Sequence, residues 1–515
     1  LTDVTGVQTC ALPILSVWNK KGIIKFARQL QDRGFRIVSS GGTEKVLKES
    51  GVEVTGISDL TGFPECLDGR VKTLHPSVHA GILARRDLSS HMSKLVDLGI
   101  DTLDLVAVNL YPFKETISKE NCTLDEAIEN IDIGGPAMLR SAAKNYSSVI
   151  VIADPADYEL VARELDNGGP SQEQRLRLSA KAFRHTAAYD SLISSYLSQK
   201  CNEDLTESMT LSLEKVQDLR YGENPHQRAA LYRFPLREPL GGYDQIQGKE
   251  LSFNNLTDAG AALELLREFS GETVIIGLKH ANPCGVGVGK TLSEAWFKAY
   301  ECDPVSIFGG IVATNSVVDE EVAIELKGVF LEIIIAYEFT EAALQVLASK
   351  KNLRLLRLKR ESKRDRLDFK AIPGGMVVQE RDMLLMKDEM KLVTKIEPGI
   401  AEIDDLLFAW KIVKHVKSNA VVIAKDLRTL GIGPGQTNRI WALENAIRQS
   451  KTDLRGAVLA SDAFFPFADC VESAAKAGIS AIIQPGGSIR DADSIEMANR
   501  YGISMLFTGM RHFNH

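Results

Sequence analysis

Cysteine is scarce in this chain and follows no pattern. Seven cysteines in 515 residues, at 10, 66, 122, 201, 284, 302 and 470, form no Cys-x-x-Cys. An odd, scattered set in a large chain argues against a disulfide framework and favours a reducing cytoplasm. An excess of positive charge is also missing. With 61 basic and 68 acidic residues the net charge is -7. That leaves no electrostatic footprint for nucleic acid but permits a local basic pocket for a small anion. No apolar run approaches the roughly 18–20 residues of a membrane span. The longest, Val329 to Tyr337, is broken by Glu332. Nucleotide fingerprints are absent as well. Gly431-Ile-Gly-Pro-Gly435 is not Gly-x-Gly-x-x-Gly, and no Walker lysine follows a glycine loop.

What the chain does have is length and a globular balance. At 515 residues, 44% hydrophobic and 25% charged, it exceeds the roughly 250–300 residues of one core, so at least two domains are expected. The opening Val4–Ile14 reads like a translated sequencing adapter. It lacks the basic n-region of a signal peptide. Residues 1–14 are therefore set aside as a non-native segment.

From Leu15 the pattern is strand, helix, strand, helix with short loops, which implies a parallel sheet covered by helices. Leu15–Trp18 reads as a strand end, Ile23–Arg33 as a helix and Phe35–Val38 as a strand. Ser39–Thr43 reads as a glycine-bearing loop before a helix at Glu44–Glu49. Such a loop lets backbone N–H groups approach an anion, though often it is only a turn. Arg70, Lys72 and Thr73 put two cations and a hydroxyl within four residues, which suits a phosphorylated ligand. His75 and His79 have the spacing of some zinc helices, but Pro76 sits between them and the His-Glu-x-x-His glutamate is absent. Asp104–Leu110 reads as a buried strand, with Asn109 and Tyr111 able to face a ligand. Gly134-Gly135-Pro136 opens a helix just after Asp132. Arg140 and Lys144 share one face of it. Polar residues 198–212 read as a linker, dividing the chain into 15–202 and 203–515.

In the second part, Thr273–Gly277 reads as a buried strand running into Leu278-Lys279-His280-Ala281-Asn282-Pro283-Cys284-Gly285. Pro-Cys-Gly is expected to break regular structure there. A lysine beside an imidazole can stabilise negative charge and move protons near neutral pH. The bland alternative is a solvated lysine and a hydrogen-bonded histidine. Residues 349–370 are basic and read as a solvated connector. Asp405–Ser418 reads as a helix and Ala420–Ile423 as a strand. They repeat the earlier plan, so two similar lobes are expected. Gly431–Arg439 reads as a glycine-rich turn entering a helix. Ser461–Phe467 and Gln484–Ile489 are suited to wall a flat aromatic ligand.

In this order, Gly69-Arg-Val-Lys-Thr-Leu-His-Pro76, Ile131-Asp-Ile-Gly-Gly135, Arg220-Tyr-Gly-Glu-Asn-Pro-His-Gln227, Lys279-His280 and Ser461-Asp-Ala-Phe-Phe-Pro-Phe467 resemble one family over residues 15–515. It is the family of bifunctional purine biosynthesis proteins that join phosphoribosylaminoimidazolecarboxamide (AICAR) formyltransferase to IMP cyclohydrolase. The resemblance implies an α/β fold in two parts. The first is a methylglyoxal-synthase-like parallel-sheet domain that closes formyl-AICAR to IMP. The second is a cytidine-deaminase-like region that moves a formyl group from 10-formyltetrahydrofolate, its co-substrate, to the 5-amino group of AICAR. A cytoplasmic homodimer with formyltransferase sites between subunits is also implied, with no nucleic acid or membrane partner.

By that resemblance Trp18, Asn19, Lys20, Ser40, Gly41, Gly42, Thr43, Arg70, Val71, Thr73, Asn109 and Ile133 match nucleotide-binding positions of the first domain. Lys144 matches a proton donor/acceptor, with Lys72, Tyr111 and Asp132 as partners in ring closure. In the second domain His280 would take the amine proton and Lys279 would stabilise the tetrahedral oxyanion. Arg220, Tyr221, Gly309, Glu332, Asn419, Arg439 and Arg511 match nucleotide positions. Ile440, Phe464, Ser488 and Ile489 match folate positions. Zinc is not expected, because Gly-Val-Gly follows Cys284 where the deaminase signature has a second cysteine. Asn19 stands where the family frequently has aspartate. Tyr337 stands where it usually has proline, and is expected to affect only a loop beside Glu332. Two other functions compete. One is a zinc hydrolase fused to a phosphate-sensing domain, and the missing cysteine and glutamate count against it. The other is a non-catalytic nucleotide-binding or regulatory homologue, and the intact Lys144, Lys279 and His280 count against that.

Overall fold

Five short apolar stretches build the first sheet. In a computed structural model, which describes residues 11–359 and 365–515, they are β1 (Pro13–Val17), β2 (Ile37–Ser39), β3 (Val54–Gly56), β4 (Leu105–Asn109) and β5 (Ile150–Ile152). They pair in the order β3-β2-β1-β4-β5, all parallel. A parallel sheet is covered on both faces, which is why β4 reads Leu-Val-Ala-Val without alternation. Helices Ile23–Gln31, Gly41–Glu49, Gly134–Lys144 and Gln172–Lys200 are among those of this unit.

The segment set aside in the sequence belongs partly to this sheet. Leu12 and Ile14 are buried, Ile14 pairs with both Val38 and Val106, and the Leu12 N–H donates to Asp104. The expectation that the fold begins at Leu15 is corrected. Apolar residues at 12 and 14 serve the central strand whatever their origin; residues 1–10 lie outside the described residues. Two smaller corrections concern helix starts. Gly41 and Gly42 form the first turn of a helix rather than a loop before it. Pro76 occupies the first position of the helix Pro76–Leu83, where its missing N–H costs nothing. His75 caps that helix, accepting from Ser77 N–H.

The chain divides into two compact units at Glu214 and Lys215, with Phe234–Leu236 joining the first. The second unit holds one sheet of twelve strands. Its two halves repeat one plan. In one half, hairpin strands Thr273–Lys279 and Asn282–Gly289 precede Ile311–Thr314, Ile333–Ala336 and Arg354–Leu358, with Tyr243–Gln247 at the edge. In the other, Val421–Lys425 and Arg428–Gly433 precede Val458–Ser461, Ala481–Gln484 and Ser504–Phe507, with Lys391–Leu392 at the edge. In both halves the outer trio is parallel and its first strand runs antiparallel to the hairpin. The lobes meet where Asn282–Gly289 pairs with Arg428–Gly433.

Glycine explains this junction. A Cβ on Gly285 or Gly287 would meet the carbonyls of Ala299 or Ala295 in the helix Leu292–Cys302; one on Gly431 or Gly433 would meet those of Ala446 or Ala442 in Arg439–Gln449. Gly431 and Gly433 are therefore strand residues beneath a close-packed helix, not a turn. Pro-Cys-Gly likewise does not end regular structure, because Pro283 lies at a register shift within a strand. The basic stretch 349–370 contains the core strand Arg354–Leu358, with Leu355 and Leu356 buried. Its arginines escape burial cost by pairing with Glu332, Glu338 and Asp244. Residues 360–364 of that stretch lie outside the described residues. Tyr337 packs against the core at the far end of Ile333–Ala336 from Glu332, so it is not beside Glu332.

Two outcomes test this packing. A chain starting at Leu15 loses the buried Leu12 and Ile14 of β1, and its unfolding free energy falls by about 3–6 kcal/mol relative to one starting at Ala11; denaturant titration measures it. Buried Glu268 accepts from Lys414 and His415, each at 3.0 Å. Burial alone would raise its carboxyl, but these partners outweigh burial and hold it down to about 2. Burial also lowers His415, opposed by its contact with Glu268. A carboxyl depressed on folding contributes stability above its unfolded value of 4.5 and loses it as pH falls toward 2. Glu268→Gln should flatten that limb of the stability–pH curve, by about 3 kcal/mol.

Candidate functional site

Two helix N-termini frame a cleft in the first unit. The helices Gly41–Glu49 and Gly134–Lys144 both start at its wall. Their positive dipole ends converge there, which favours an anion, although the Gly135 N–H is already donated to Asp132. The cleft has a volume of about 530 Å³, ample for a mononucleotide-sized ligand. A Cβ on Gly134 would lie 2.5 Å from Thr73 Oγ1, and one on Gly135 2.5 Å from Asp132 Oδ2. Gly-Gly is thus what lets Thr73 and Asp132 lie against the helix start.

Trp18, Lys20, Ser40, Gly41, Gly42, Thr43, Arg70, Lys72, Thr73, Asn109, Tyr111, Asp132 and Ile133 all line this cleft. Asn19 and Val71 do not line it. Asn19 is latched to Asn109, donating from its N–H to Oδ1 at 2.8 Å and accepting from Nδ2 at 3.2 Å. Its own Oδ1 accepts from Lys21 N–H, a bond an aspartate would also make. Val71 bridges Cys66. The Thr43 hydroxyl is spent on β1, accepting from Val17 N–H at 3.0 Å and donating to Val17 O at 2.9 Å. Lys20 donates to Thr43 Oγ1 and Val17 O, and burial pushes its pKa down. Trp18 and Tyr111 meet edge to face with centroids 5.7 Å apart, presenting partly exposed aromatic surface to the cleft.

Asp132 is the half-buried acid of the cleft. Burial pushes its carboxyl up, opposed by N–H donation from Gly135 and Tyr111 and by the charge of Lys72. Its own N–H donates to the Tyr189 hydroxyl at 2.9 Å. Burial pushes Tyr189 up to about 12, so it stays protonated and donates to Asn130 O. Sequence reasoning missed Tyr189, which lies in a long helix with no local motif. Lys144 is not brought to this cleft. It is the exposed last residue of its helix, about 15 Å along the axis from Gly134. Arg70 pairs with Glu129 of the cleft wall, and Lys72 with Glu65 at 3.1 Å.

In the second unit Lys279 ends the strand Thr273–Lys279 and His280 opens a two-residue hairpin turn, His280–Ala281, so the strand does run into a turn at this pair. His280 and Ala281 both have positive φ, 51° and 57°, as a type I′ turn requires. His280 is exposed. Lys279 Nζ donates to Phe308 O at 2.7 Å, beside Gly309. Asn282 Oδ1 accepts from Lys417 N–H at 3.0 Å, which ties the turn to the Ser418–Asn419 segment. Asn419 Oδ1 accepts from Arg439 at 2.6 Å. Arg439 is itself buried against Asp462 and Ser461. It therefore holds Asn419 rather than offering its charge outward. The C-terminal strap closes on the same place, with Asn514 N–H donating to Ser418 Oγ and His512 N–H to Asp462 O. That leaves Arg511 exposed, its guanidinium over Phe513.

The other expected residues are less closely gathered. Arg220 stacks on and donates to Tyr221; their loop touches the helix Phe253–Leu266 through Glu223 O and Asn254. Glu332 is paired with Arg354 at 2.8 Å. Ile440 opens the helix after Arg439, and Phe464, Ser488 and Ile489 follow the carboxyl ends of two parallel strands, where open sheets bind ligands. Ile489 is fully exposed. Asp258, Ser418 and Asp462 were missed, since their partners are distant in sequence. Among the described residues no cluster of His, Cys, Asp and Glu could hold a metal ion, and no helix is long and apolar enough to cross a membrane.

Comparison with known proteins is consistent along the chain. The MGS-like domain family matches residues 22–137, and the AICARFT/IMPCHase bienzyme family matches 142–449. The bifunctional purine biosynthesis protein PurH of Caldicellulosiruptor bescii is 56% identical over 509 residues, 98% of this chain and 99% of that protein. The PurH of Thermoanaerobacter sp. is 56% identical over 505 residues and that of Acetivibrio thermocellus 54% over 511, with the same coverage.

An incoming phosphate must compete with the carboxylates that hold Arg70 and Lys72. Glu129→Gln and Glu65→Gln together should tighten IMP binding about two- to tenfold in titration calorimetry, because the freed cations then pair only with the ligand.

Proposed function

Because this chain belongs to the PurH family of bifunctional purine biosynthesis proteins, we propose that its two units divide that family's two reactions, ring closure in the first and formyl transfer in the second. The chain carries the last two steps of IMP synthesis, taking AICAR to IMP with a folate co-substrate. We take that co-substrate to be 10-formyltetrahydrofolate and the intermediate to be formyl-AICAR. The observation that carries the division is that Lys72, Tyr111 and Asp132 share one cleft of the first unit, whereas Lys279 and His280 share one turn of the second.

Formyl transfer needs a base, because the AICAR amine lone pair is delocalised into the ring. His280 takes its proton as the amine attacks the formyl carbon, and the tetrahedral adduct then collapses with cleavage of the formyl C–N10 bond, the proton passing from His280 to N10 as tetrahydrofolate leaves. Lys279, held beside Gly309, stabilises the tetrahedral oxyanion. Arg220, Tyr221, Asn419 and Arg511 bind nucleotide, with Arg439 supporting Asn419. Ile440, Phe464, Ser488 and Ile489 receive the folate. In ring closure the amide nitrogen attacks the formyl carbon and water leaves. The two helix N-termini with Arg70 hold the phosphate. Asp132, lifted toward the protonated form, exchanges protons with the reacting groups, and Lys72 and Tyr111 stabilise the oxyanion.

The reading includes a homodimer working in the cytoplasm. Within one chain Lys144 is out of reach of Asp132, so a second chain must deliver it if it moves a proton in ring closure.

His280→Ala should lose formyl transfer by about 10²–10⁴-fold while closing supplied formyl-AICAR at the parental rate. Lys72→Ala should do the reverse and accumulate formyl-AICAR. Equal loss of both reactions in either folded variant contradicts the division. Mixing Lys72→Ala with Lys144→Ala chains should restore part of the cyclohydrolase activity if Lys144 acts across subunits; no recovery in a mixed dimer contradicts that role.

A further inference from the structure

The two lobes of the second unit carry the same clamp, and only one of them carries a candidate base. Asp258 is the sixth residue of the helix Phe253–Leu266, and Asp405 the sixth of Ile400–Val413. Each reaches the turn of its own lobe's hairpin. Asp258 Oδ1 accepts from Ala281 N–H at 2.9 Å. Asp405 accepts from Asp426 N–H at 2.9 Å and Leu427 N–H at 2.7 Å. All four turn residues are non-glycine with positive φ: 51° and 57° at His280 and Ala281, 56° at both Asp426 and Leu427. Such residues adopt the left-handed region reluctantly, so the turn needs something outside itself to hold it. The lysine before each turn also recurs, as Lys279 and Lys425. At the next position the lobes part, His280 in one and Asp426 in the other.

We propose that Asp258 is a positioning residue for formyl transfer, its carboxylate fixing the Lys279-His280-Ala281-Asn282 turn so that the His280 imidazole is presented to the substrate amine. This rests on the reading of His280 as the base. Two further observations support it. Burial raises the Asp258 carboxyl, and the amides of both Ala281 and His280 oppose that rise by donating to it. Asn254, one helical turn before Asp258, touches Glu223 of the Arg220–Gln227 loop. One face of one helix therefore holds both the imidazole turn and a loop expected to bind nucleotide. Asp405 is the internal control, since it makes the same kind of clamp on a turn without a histidine.

The test uses full-length chains bearing Asp258→Ala, Asp258→Asn, Asp405→Ala and, separately, His280→Ala. Formyl transfer is measured as kcat and KM for AICAR, with cyclisation of supplied formyl-AICAR followed on the same samples. Asp258→Ala should lower the formyl-transfer kcat at least about 30-fold with KM for AICAR within about threefold, because misplacing a reacting group acts on the transition state. Cyclisation should be unchanged. Asp258→Asn keeps the acceptor oxygen and should recover to within about fivefold of the parent. Asp405→Ala should lower thermal stability like Asp258→Ala yet keep kcat within about threefold. Parallel kcat losses at 258 and 405, or parental kcat in Asp258→Ala, would overturn the proposal. If Asp258→Ala does not fold, Asp258→Glu decides. Its displaced carboxylate should cost at least about tenfold in kcat, and a parental value would overturn the proposal. An active His280→Ala chain would instead sink the underlying assignment of the base.

Discussion

The second unit depends on how closely two helices can lie on a pair of hairpin strands. Gly285 and Gly287 admit the backbone of Leu292–Cys302, and Gly431 and Gly433 admit that of Arg439–Gln449. Any side chain at these positions would lift the helix from the sheet. With the helices seated, Asn282–Gly289 and Arg428–Gly433 pair at the centre of the sheet, and Val286 N–H donates to Thr429 Oγ1 at 2.9 Å. Each hairpin turn then has a fixed position. The same helix seating puts Arg439 under Asn419, so the packing that joins the lobes also orders polar groups beside the Lys279–His280 turn. Fold and site share one constraint.

On the proposed reading, the first unit solves a different problem, that of holding an anion without a glycine fingerprint. It uses two helix starts that face one cleft and cations already compensated by carboxylates. The partly buried Asp132 is affordable because Gly135 and Tyr111 N–H groups and Lys72 partly offset its desolvation. On the proposed reading that leaves a carboxyl able to exchange a proton in ring closure, which a fully solvated aspartate would do less well.

Much of the first unit was legible because its signals are local. Apolar runs gave β4 and β5, and Asp-Ile-Gly-Gly-Pro gave a helix start whose glycines are explained by Thr73 and Asp132. The cleft residues from Trp18 to Ile133 were named almost entirely, though from resemblance more than from residue physics. What failed was set by distant partners. Arg354 and Arg357 disguised a core strand because their counter-charges come from Glu332, Glu338 and Asp244. Pro283 suggested a break because a bulge in its own strand shows only in the register with the partner strand, which one strand's sequence does not give. The lobes could only be guessed from Asp405–Ile423. Their equivalence became plain from strand order and from the matched turns at His280 and Asp426. Lys144 shows a different limit, a residue named by family pattern that its own helix carries away from this chain's cleft.

The central claim is that two nucleotides are handled at two separate places on one chain. A crystal structure of the full-length protein with AICAR and IMP supplied together tests it most directly. The account predicts two nucleotides per chain. The IMP phosphate should lie at the starts of the helices Gly41–Glu49 and Gly134–Lys144, and the AICAR amine within hydrogen-bond reach of His280. A single nucleotide site, or an AICAR amine far from His280, would contradict it.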